Sequence, residues 1–474
     1  MNPSYPQDLL ELLKQALPDE QQLAEMLDYN SRPLRTSIRL NPLKCSREVF
    51  MARANELGWQ LTPIPWCEDG FWVELPAGSV SIGNNLEHIA GQFYVQEASS
   101  MLPVAALAAH YSFDEDSVVL DAAAAPGSKT TQIAALMANQ GALVANEYSA
   151  SRIKVLSANL QRCGVNNVAI SHFSAEVFGS WTPKSFDAIL LDAPCSGEGT
   201  LRKDPDALKN WSIQHVKETA ELQVTLFESA LQALKPGGTL VYSTCTLNPL
   251  ENQGVINAIM ERYPDALTPI DLSGLFEGAA LSATAEGYLH VWPHVYDSEG
   301  FFLSAFTRSD SELTPEPVEK KLKPLPFKPL ANKPLQELSN YLHKQFGLTL
   351  PNSHTVFSRD KELWLFPDAI LPLTDEMRFQ RIGIRLGDVL KVGFKMSHEF
   401  ATSLASSAGI NRVDLDIEQA KLYFAGRDVP YPNNHKGELV VCYQGTPIGM
   451  AKWVKNKLKN SLPRDLVRNY DQLS

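Results

Sequence analysis

No apolar run in the sequence approaches the roughly 20 residues of a membrane-spanning helix, so no helical membrane span is expected. The N-terminal MNPSYPQDLLELLKQ lacks a charged segment followed by an apolar one, so no secretory leader is expected. None of the six cysteines (Cys45, Cys67, Cys163, Cys195, Cys245, Cys442) belongs to a Cys-x-x-Cys pair. That argues against a zinc site and a disulfide framework, and the expected compartment is the reducing cytoplasm. Gly-x4-Gly-Lys-[Ser/Thr] and Gly-x-Gly-x-x-Gly are both missing, which excludes a P-loop and the usual dinucleotide fingerprint. Internal repeats and low-complexity segments are also lacking, so a solenoid is not expected.

What remains is a chain of 474 residues with 44% hydrophobic and 20% charged residues, ordinary for a globular protein of two to four domains. The net charge of −12 argues against general nucleic-acid affinity, but its distribution is uneven. Residues 318–474 carry 23 Lys and Arg against 16 Asp and Glu; the first 317 carry 19 against 38. An acidic body with a basic tail fits a polyanion held mainly by the tail, and solvated surface charge is the alternative.

The stretch VVLDAAAAPGSKTTQIAALM, residues 118–137, organises the chain. It reads as strand, tight turn and helix, with small residues where a ligand needs close backbone approach. Helix starts favour electron-rich groups, and ligands of open α/β sheets sit at strand carboxyl ends. Ahead of it, residues 4–30 are helical by period, with a break at Pro18. SRPLRTSIRLNPLKCSR, residues 31–47, holds Arg32, Arg35, Arg39, Lys44 and Arg47 without an acid, a positive stripe suited to phosphates or a basic solvent face. Residues 48–110 are mixed, with FWVEL a short strand and EASSMLPVAALAAH a helix.

Behind it, strands and helices alternate: GALVANEY, NVAISHF, FDAILLDAPCSGEGT and TLVYSTCTLNPLEN as strands, SRIKVLSANLQRCGV and residues 215–238 as helices, and residues 290–308 as a closing hairpin. Such alternation implies a doubly wound, mostly parallel sheet. Residues 311–334 contain six prolines and read as a semi-rigid linker with neither helix nor strand. Residues 335–375 alternate short helical and strand patterns, and from about 380 the strand-like pieces GDVLKVGFK, AKLYFAG and GELVVCYQGTPIGMAKWV point to a small β-rich module.

Three acids, Asp121, Glu147 and Asp192, fall at or near strand ends on one edge. Glu147, 26 residues after Asp121, stands where an acid commonly accepts hydrogen bonds from a ribose diol, pointing to a nucleoside-bearing cofactor. Cys195 and Cys245 follow the fourth and fifth strands, whose ends lie several ångströms apart, so both thiols are expected in one pocket. A thiolate of lowered pKa is a strong nucleophile.

DAAAAPGSKT, DAPCSGEGT and STCT, in this order, resemble the RNA 5-methylcytosine methyltransferases of the Nol1/Nop2/sun family. RTSIRLNPLK, YVQEASSMLP, LRKDPD, LKPGG and SEGFF match too, so the resemblance covers roughly residues 30–308. Chain length and basic tail are most similar to bacterial members that modify a cytidine in the decoding region of 16S rRNA. The resemblance implies an α/β, class I (Rossmann-like) methyltransferase with a seven-stranded, mostly parallel sheet using S-adenosyl-L-methionine. It further implies an N-terminal RNA-binding extension over residues 1–110, the methyltransferase domain over 111–310 and the Pro-rich linker over 311–334. A small α/β domain over 335–380 and a PUA-like RNA-binding domain over 381–474 follow, GTPIGMAKW being similar to the last strands of PUA modules. The partner implied is 16S rRNA or the small ribosomal subunit, with neither membrane nor metal.

By the same resemblance Cys245 is the nucleophile that attacks cytosine C6 and Cys195 assists its release. Asp192 is implied to lie against N3 and the exocyclic amine, where a protonated carboxyl donates, and Lys129 to contact the target nucleotide. The backbone of Ala123, Ala124, Ala125, Pro126, Gly127 and Ser128 is implied to hold the methionine part, with Glu147 on the ribose and Lys129 and Asp192 nearby. One departure stands out: the family's Asp near the adenine is replaced by Ser174, with Glu176 two residues on as a substitute. Competing readings are a family member acting on tRNA or another rRNA site, and a non-catalytic RNA-binding or ribosome-assembly factor. A DNA cytosine methyltransferase using Cys195 would leave Cys245 unexplained.

Overall fold

A computed structural model describes residues 5–473 except 314, 316, 317, 319, 433, 434 and 436. At its centre a sheet contains β1 (Val118–Asp121), β2 (Ala142–Asn146), β3 (Val168–Ser171), β4 (Phe186–Asp192), β5 (Leu234–Thr244), β6 (Leu267–Ile270) and β7 (Phe301–Arg308). Their spatial order is β3-β2-β1-β4-β5-β7-β6, with β7 antiparallel between β5 and β6 and β1–β5 parallel. This is the seven-stranded Rossmann-like sheet expected from the sequence. The apolar runs of β1, β2 and β3 are buried along their whole length, as strands covered on both faces must be.

Helices α1 (Ser128–Leu136), α2 (Ala150–Arg162), α3 (Ile213–Ala233) and α4 (Gln253–Arg262) cover the sheet. One face packs Leu107, Ile133, Leu156 and Leu160 into a single core; the other packs Phe227, Leu231, Tyr242 and Phe306. The α3 start is capped by Ser212, whose side chain accepts from the His215 amide. Two strands extend the seven. Leu289–Val291 forms a hairpin with β7, and Arg381–Ile382 pairs antiparallel with β3. LKPGG, read as the end of the α3 segment, instead starts β5, because Leu234 is already aligned with Phe186 of β4.

The N-terminal helices Gln7–Ala16 and Glu20–Tyr29 bury Leu9, Leu13, Leu23 and Met26 against Leu247 and Trp292. A four-stranded antiparallel sheet follows, ordered Gln60–Ile64, Cys67–Glu74, Ser37–Leu40, Phe93–Val95. Beyond the centre, one five-stranded sheet runs from Lys328 to Met396, so its strands lie on both sides of residue 380. A second, from Arg412 to Asn460, follows it.

Part of the Pro-rich stretch lies outside the described residues; most of the rest is exposed, but two side chains anchor it. Lys320 Nζ donates to the carbonyls of Trp181 and Glu376, each at 2.8 Å, and Phe327 packs edge-on against Trp364 and Phe366. Lys328–Pro329 is a strand at a sheet edge, where a proline is tolerated. Pro334 sits in the first turn of helix Asn332–Phe346, whose leading amides need no helical acceptor. AKLYFAG, expected as a strand, belongs to helix Ile417–Phe424. Asp416 and Gln419 form a capping box, and Ala420, Tyr423 and Phe424 are buried at helical spacing.

Candidate active site

The carboxyl ends of β1, β2, β4 and β5 open onto one cleft of about 700 Å³. Its wall includes Ala122, Ala123, Ala125, Glu147, Ser174 and Glu176, and its far end reaches Asp192, Cys195 and Cys245. Ala124, Pro126, Gly127, Ser128 and Lys129 are not part of that lining. Gly127, at φ 107°, turns the chain from β1 into α1 and packs on Leu156, which a Cβ would approach to 3.1 Å.

Asp121 is buried at the end of β1 and accepts from Thr130 Oγ1 at 2.7 Å. Burial pushes its carboxyl up to about 7 against the opposing Thr130 bond, and Oδ1 has no hydrogen-bond partner among the described residues. Glu147 follows β2. It accepts from the Ser149 amide at 2.8 Å and the Ala125 amide at 3.3 Å, with Arg152 Nη1 3.5 Å away. The Ser174 hydroxyl donates to Glu176 at 3.0 Å, so the two candidates for the adenine end act as one polar unit. Small residues and carboxylates at the ends of the first two strands fit a nucleoside-bearing ligand.

Cys195 Sγ lies 3.0 Å from Cys245 Sγ, both thiols are free and partly exposed, and the other four cysteines are buried. The hydrogen bond to Cys245, followed by burial and the charges of Cys245, Glu251 and Glu198, raises Cys195 well above the usual thiol range. Either thiol can donate in this contact. The two loops are held by groups that sequence reasoning did not single out. Gly199 N donates to Cys245 O at 3.0 Å and Gly300 N to Gly199 O at 2.8 Å. A Cβ on Gly199 would stand 2.2 Å from Gly300 O and 2.6 Å from Cys245 O. Glu198 and Glu251 are buried beneath, accepting from Asn248 Nδ2 at 2.8 Å each, and Ser196 N donates to Glu251 at 3.0 Å. Their only visible sign was a Glu inside GEGT and another inside NPLEN.

Lys129 Nζ donates to Asp192 Oδ2 at 2.7 Å and to Ser100 Oγ at 2.9 Å, and sits 5.5 Å from the centre of the Phe301 ring. Burial opposes the ammonium, but Asp192 together with Asp121 and Cys245 outweighs it and the Lys129 pKa is raised. Ser243 Oγ donates to Asp192 Oδ1 at 2.7 Å. Both Asp192 oxygens are thus acceptors.

The positive stripe of residues 31–47 is divided by the fold. Arg39 is buried and donates to Ser128 O at 2.7 Å, to Thr131 Oγ1 at 2.8 Å and to Gln96. It secures the first turn of α1 and is not available to phosphate. Lys44 is buried too, donating to Thr402 O at 2.6 Å and Pro447 O at 3.1 Å; burial pushes its ammonium down to about 8. Arg32 pairs with Asp28 at 2.8 Å, Arg35 lies over Trp72 and Arg47 over Phe71, leaving these three near the surface. Among the described residues no group of His, Cys, Asp and Glu could hold a metal, and no helix is long and apolar enough to cross a membrane.

Four family models match in succession. They are the N-terminal domain of 16S rRNA methyltransferase RsmF over residues 5–98, 16S rRNA methyltransferase RsmB/F over 108–307, the pre-PUA domain of ribosomal RNA small subunit methyltransferase F over 327–404, and the methyltransferase RsmF PUA domain over 410–468. Ribosomal RNA small subunit methyltransferase F of Vibrio cholerae serotype O1 (strain M66-2) is 52% identical over 99% of this chain and 98% of its own length. The protein of that description from Shewanella piezotolerans is 50% identical over 98% of each. Among solved structures, a methyltransferase homolog protein from Pyrococcus horikoshii aligns with 64% of this chain and 100% of its own, at 31% identity and a TM-score of 0.52.

Proposed function

The chain belongs to the RsmF family of 16S rRNA methyltransferases, and on that premise we propose how its cleft carries out methyl transfer to C5 of a cytidine in the decoding region. The observation that carries this reading is the pair of thiols 3.0 Å apart beside the Lys129–Asp192 ion pair. S-adenosyl-L-methionine, as the bound cosubstrate, supplies an electrophilic methyl group. Ala123 and Ala125 line its methionine end, Ala124 to Lys129 support that wall, Glu147 accepts from the ribose hydroxyls, and Ser174 with Glu176 meets the adenine.

Cytosine C5 is a weak nucleophile until C6 is attacked. In this reading Cys245, its thiol proton passed to solvent, attacks C6 of a flipped cytosine. Lys129 supplies the hydrogen bond or proton that N3 requires, and Asp192 accepts from the exocyclic amine while Ser243 fixes its second oxygen. C5 then takes the methyl group. Water takes the C5 proton, the electron pair restores the C5–C6 double bond as the C6–S bond breaks, N3 returns its proton to Lys129, and Cys245 leaves as a thiolate with the Cys195 thiol hydrogen-bonded to it. The buried Glu198–Asn248–Glu251 network ties the two cysteine-bearing loops together and keeps that geometry. Residues 1–110 and 335–474 serve the same reading as RNA-holding parts around the body of 111–310.

The test is methyl transfer from labelled cosubstrate to 16S rRNA and to small subunits from cells lacking the gene, with bisulfite sequencing to locate the product. A single decoding-region cytidine is expected to be modified. Label in tRNA or 23S rRNA instead would overturn the substrate assignment.

A further inference from the structure

Ser100 stands in the turn Ser99–Met101, inside the motif YVQEASSMLP. Ser99 and Met101 on either side are fully buried, whereas Ser100 is partly exposed. Its main chain is pinned from both ends. The Ser100 amide donates to Glu97 at 3.2 Å, and its carbonyl accepts from Gln96 Nε2 at 3.0 Å. Glu97 also accepts from the Glu299 amide at 3.1 Å, close to Phe301 in sequence. Arg39 joins Gln96 to the first turn of α1, which carries Lys129. The Ser100 hydroxyl is thereby fixed relative to the Lys129 ammonium and accepts from it at 2.9 Å.

Both groups keep a proton to give. An ammonium has three N–H donors, and Lys129 spends one on Ser100 and one on Asp192 Oδ2, at 2.7 Å. The Ser100 hydroxyl, accepting from Lys129, has no acceptor for its own proton among the described residues. Asp192 Oδ2, Lys129 Nζ and Ser100 Oγ thus present acceptor, donor and donor. The Watson–Crick edge of cytosine is the complement: the N4 amine donates, N3 and O2 accept. Two bonds leaving one tetrahedral nitrogen put the two protein oxygens roughly 4.5 Å apart, close to the span from N4 to O2. Attack on C6 moves the C4–N3 π pair onto N3, and the adjoining C2 carbonyl shares the charge. A hydroxyl on O2 then binds the transition state more strongly than the ground state.

We propose that Ser100 is a substrate-contacting residue whose hydroxyl donates to O2 of the target cytosine, completing with Lys129 and Asp192 a three-point grip on its Watson–Crick edge. The proposal rests on the cytosine methyltransferase reading and adds a contact to it. Ser100→Ala is compared with the full-length parent on 16S rRNA in single turnover. The methylation rate at saturating RNA is expected to fall at least tenfold, with the Kd of cosubstrate and of RNA within twofold. Ser100→Thr, which keeps a hydroxyl, should recover most of the rate. A purely structural role through Lys129 gives the same loss, so O2 itself is exchanged. A second 16S rRNA, joined by ligation, carries 2-thiocytidine at the cytidine located by bisulfite sequencing; sulfur is the weaker acceptor. On that RNA the parent should slow to within threefold of Ser100→Ala, because the variant has no bond to O2 left to lose. An equal fall of both proteins on the 2-thiocytidine RNA would confine Ser100 to holding Lys129 and overturn the proposal. A parental rate in Ser100→Ala would overturn it too. In either case methylation of unmodified RNA by the parent leaves the underlying reading standing, whereas no product from the parent would remove that reading and the proposal with it.

Discussion

Glu147 gives the sharpest test of the cosubstrate cleft, because its carboxylate does two jobs that separate by experiment. In the free protein it accepts from the Ser149 amide at 2.8 Å and the Ala125 amide at 3.3 Å. Removing it by Glu147→Ala leaves two backbone donors without their acceptor at the start of α2 and in the turn after β1. Only the shorter bond has good geometry, and a hydrogen bond to a charged group is worth about 1.5–3 kcal/mol, so a stability loss on that scale is expected. If a ribose hydroxyl also donates to Glu147, cosubstrate binding weakens by a further ~1.5–3 kcal/mol, roughly a 10- to 150-fold rise in Kd. Glu147→Gln keeps one acceptor oxygen for the Ser149 amide; its melt should stay nearer the parent's while Kd still rises. Calorimetric titration with S-adenosyl-L-methionine, run beside thermal melts at one pH, reads both quantities. A lowered melt in Glu147→Ala with an unchanged Kd would refute the ribose assignment and reduce Glu147 to a turn anchor.

The two cysteines should differ in kind: Cys245→Ser should give neither adduct nor methylation, whereas Cys195→Ser should accumulate a denaturant-resistant band of enzyme joined to methylated RNA. The reverse pattern on a denaturing gel would exchange their roles. Gly199→Ala forces a methyl group against two carbonyl oxygens, one of them that of Cys245, and should lower kcat at least tenfold while Glu147-dependent cosubstrate binding persists; wild-type kcat would show the loop to be slack. Burial, helped by Glu97, pushes Glu299 up to about 8 from the ordinary 4.5. Between those pH values the folded chain keeps a proton that the unfolded chain has released, so this group's stabilisation falls as pH rises. Glu299→Gln should therefore gain in Tm relative to the parent between pH 5 and pH 9, and a constant difference across that range would contradict the assignment.

Much of the central sheet was legible because parallel strands buried on both faces appear as short apolar runs, and Asp121, Glu147 and Asp192 mark their carboxyl ends. The meeting of Cys195 and Cys245 followed from the adjacency of β4 and β5. Charge was harder to read. Arg39 and Lys44 look like phosphate ligands until carbonyls up to 403 residues away claim them, and those partners have no local signature. AKLYFAG has strand-forming residue types, yet the cap at Asp416 and the burial of its apolar residues at helical spacing prevail. The Pro-rich stretch, expected to hold neither helix nor strand, ends in both for a similar reason: an edge strand and a first helical turn are two regular places where proline costs little.

The pairing of Arg381–Ile382 with β3 has a consequence for biosynthesis. Until it arrives, β3 is the open margin of the catalytic sheet, with a row of unsatisfied backbone groups on which another nascent chain could pair. The last of the seven core strands ends at Arg308, so 74 further residues must be made before Ile382 can cover that margin. At roughly 5–20 residues per second this leaves the sheet exposed for about 4–15 s on the ribosome. Over that interval the margin of the catalytic sheet stays open to pairing with other chains.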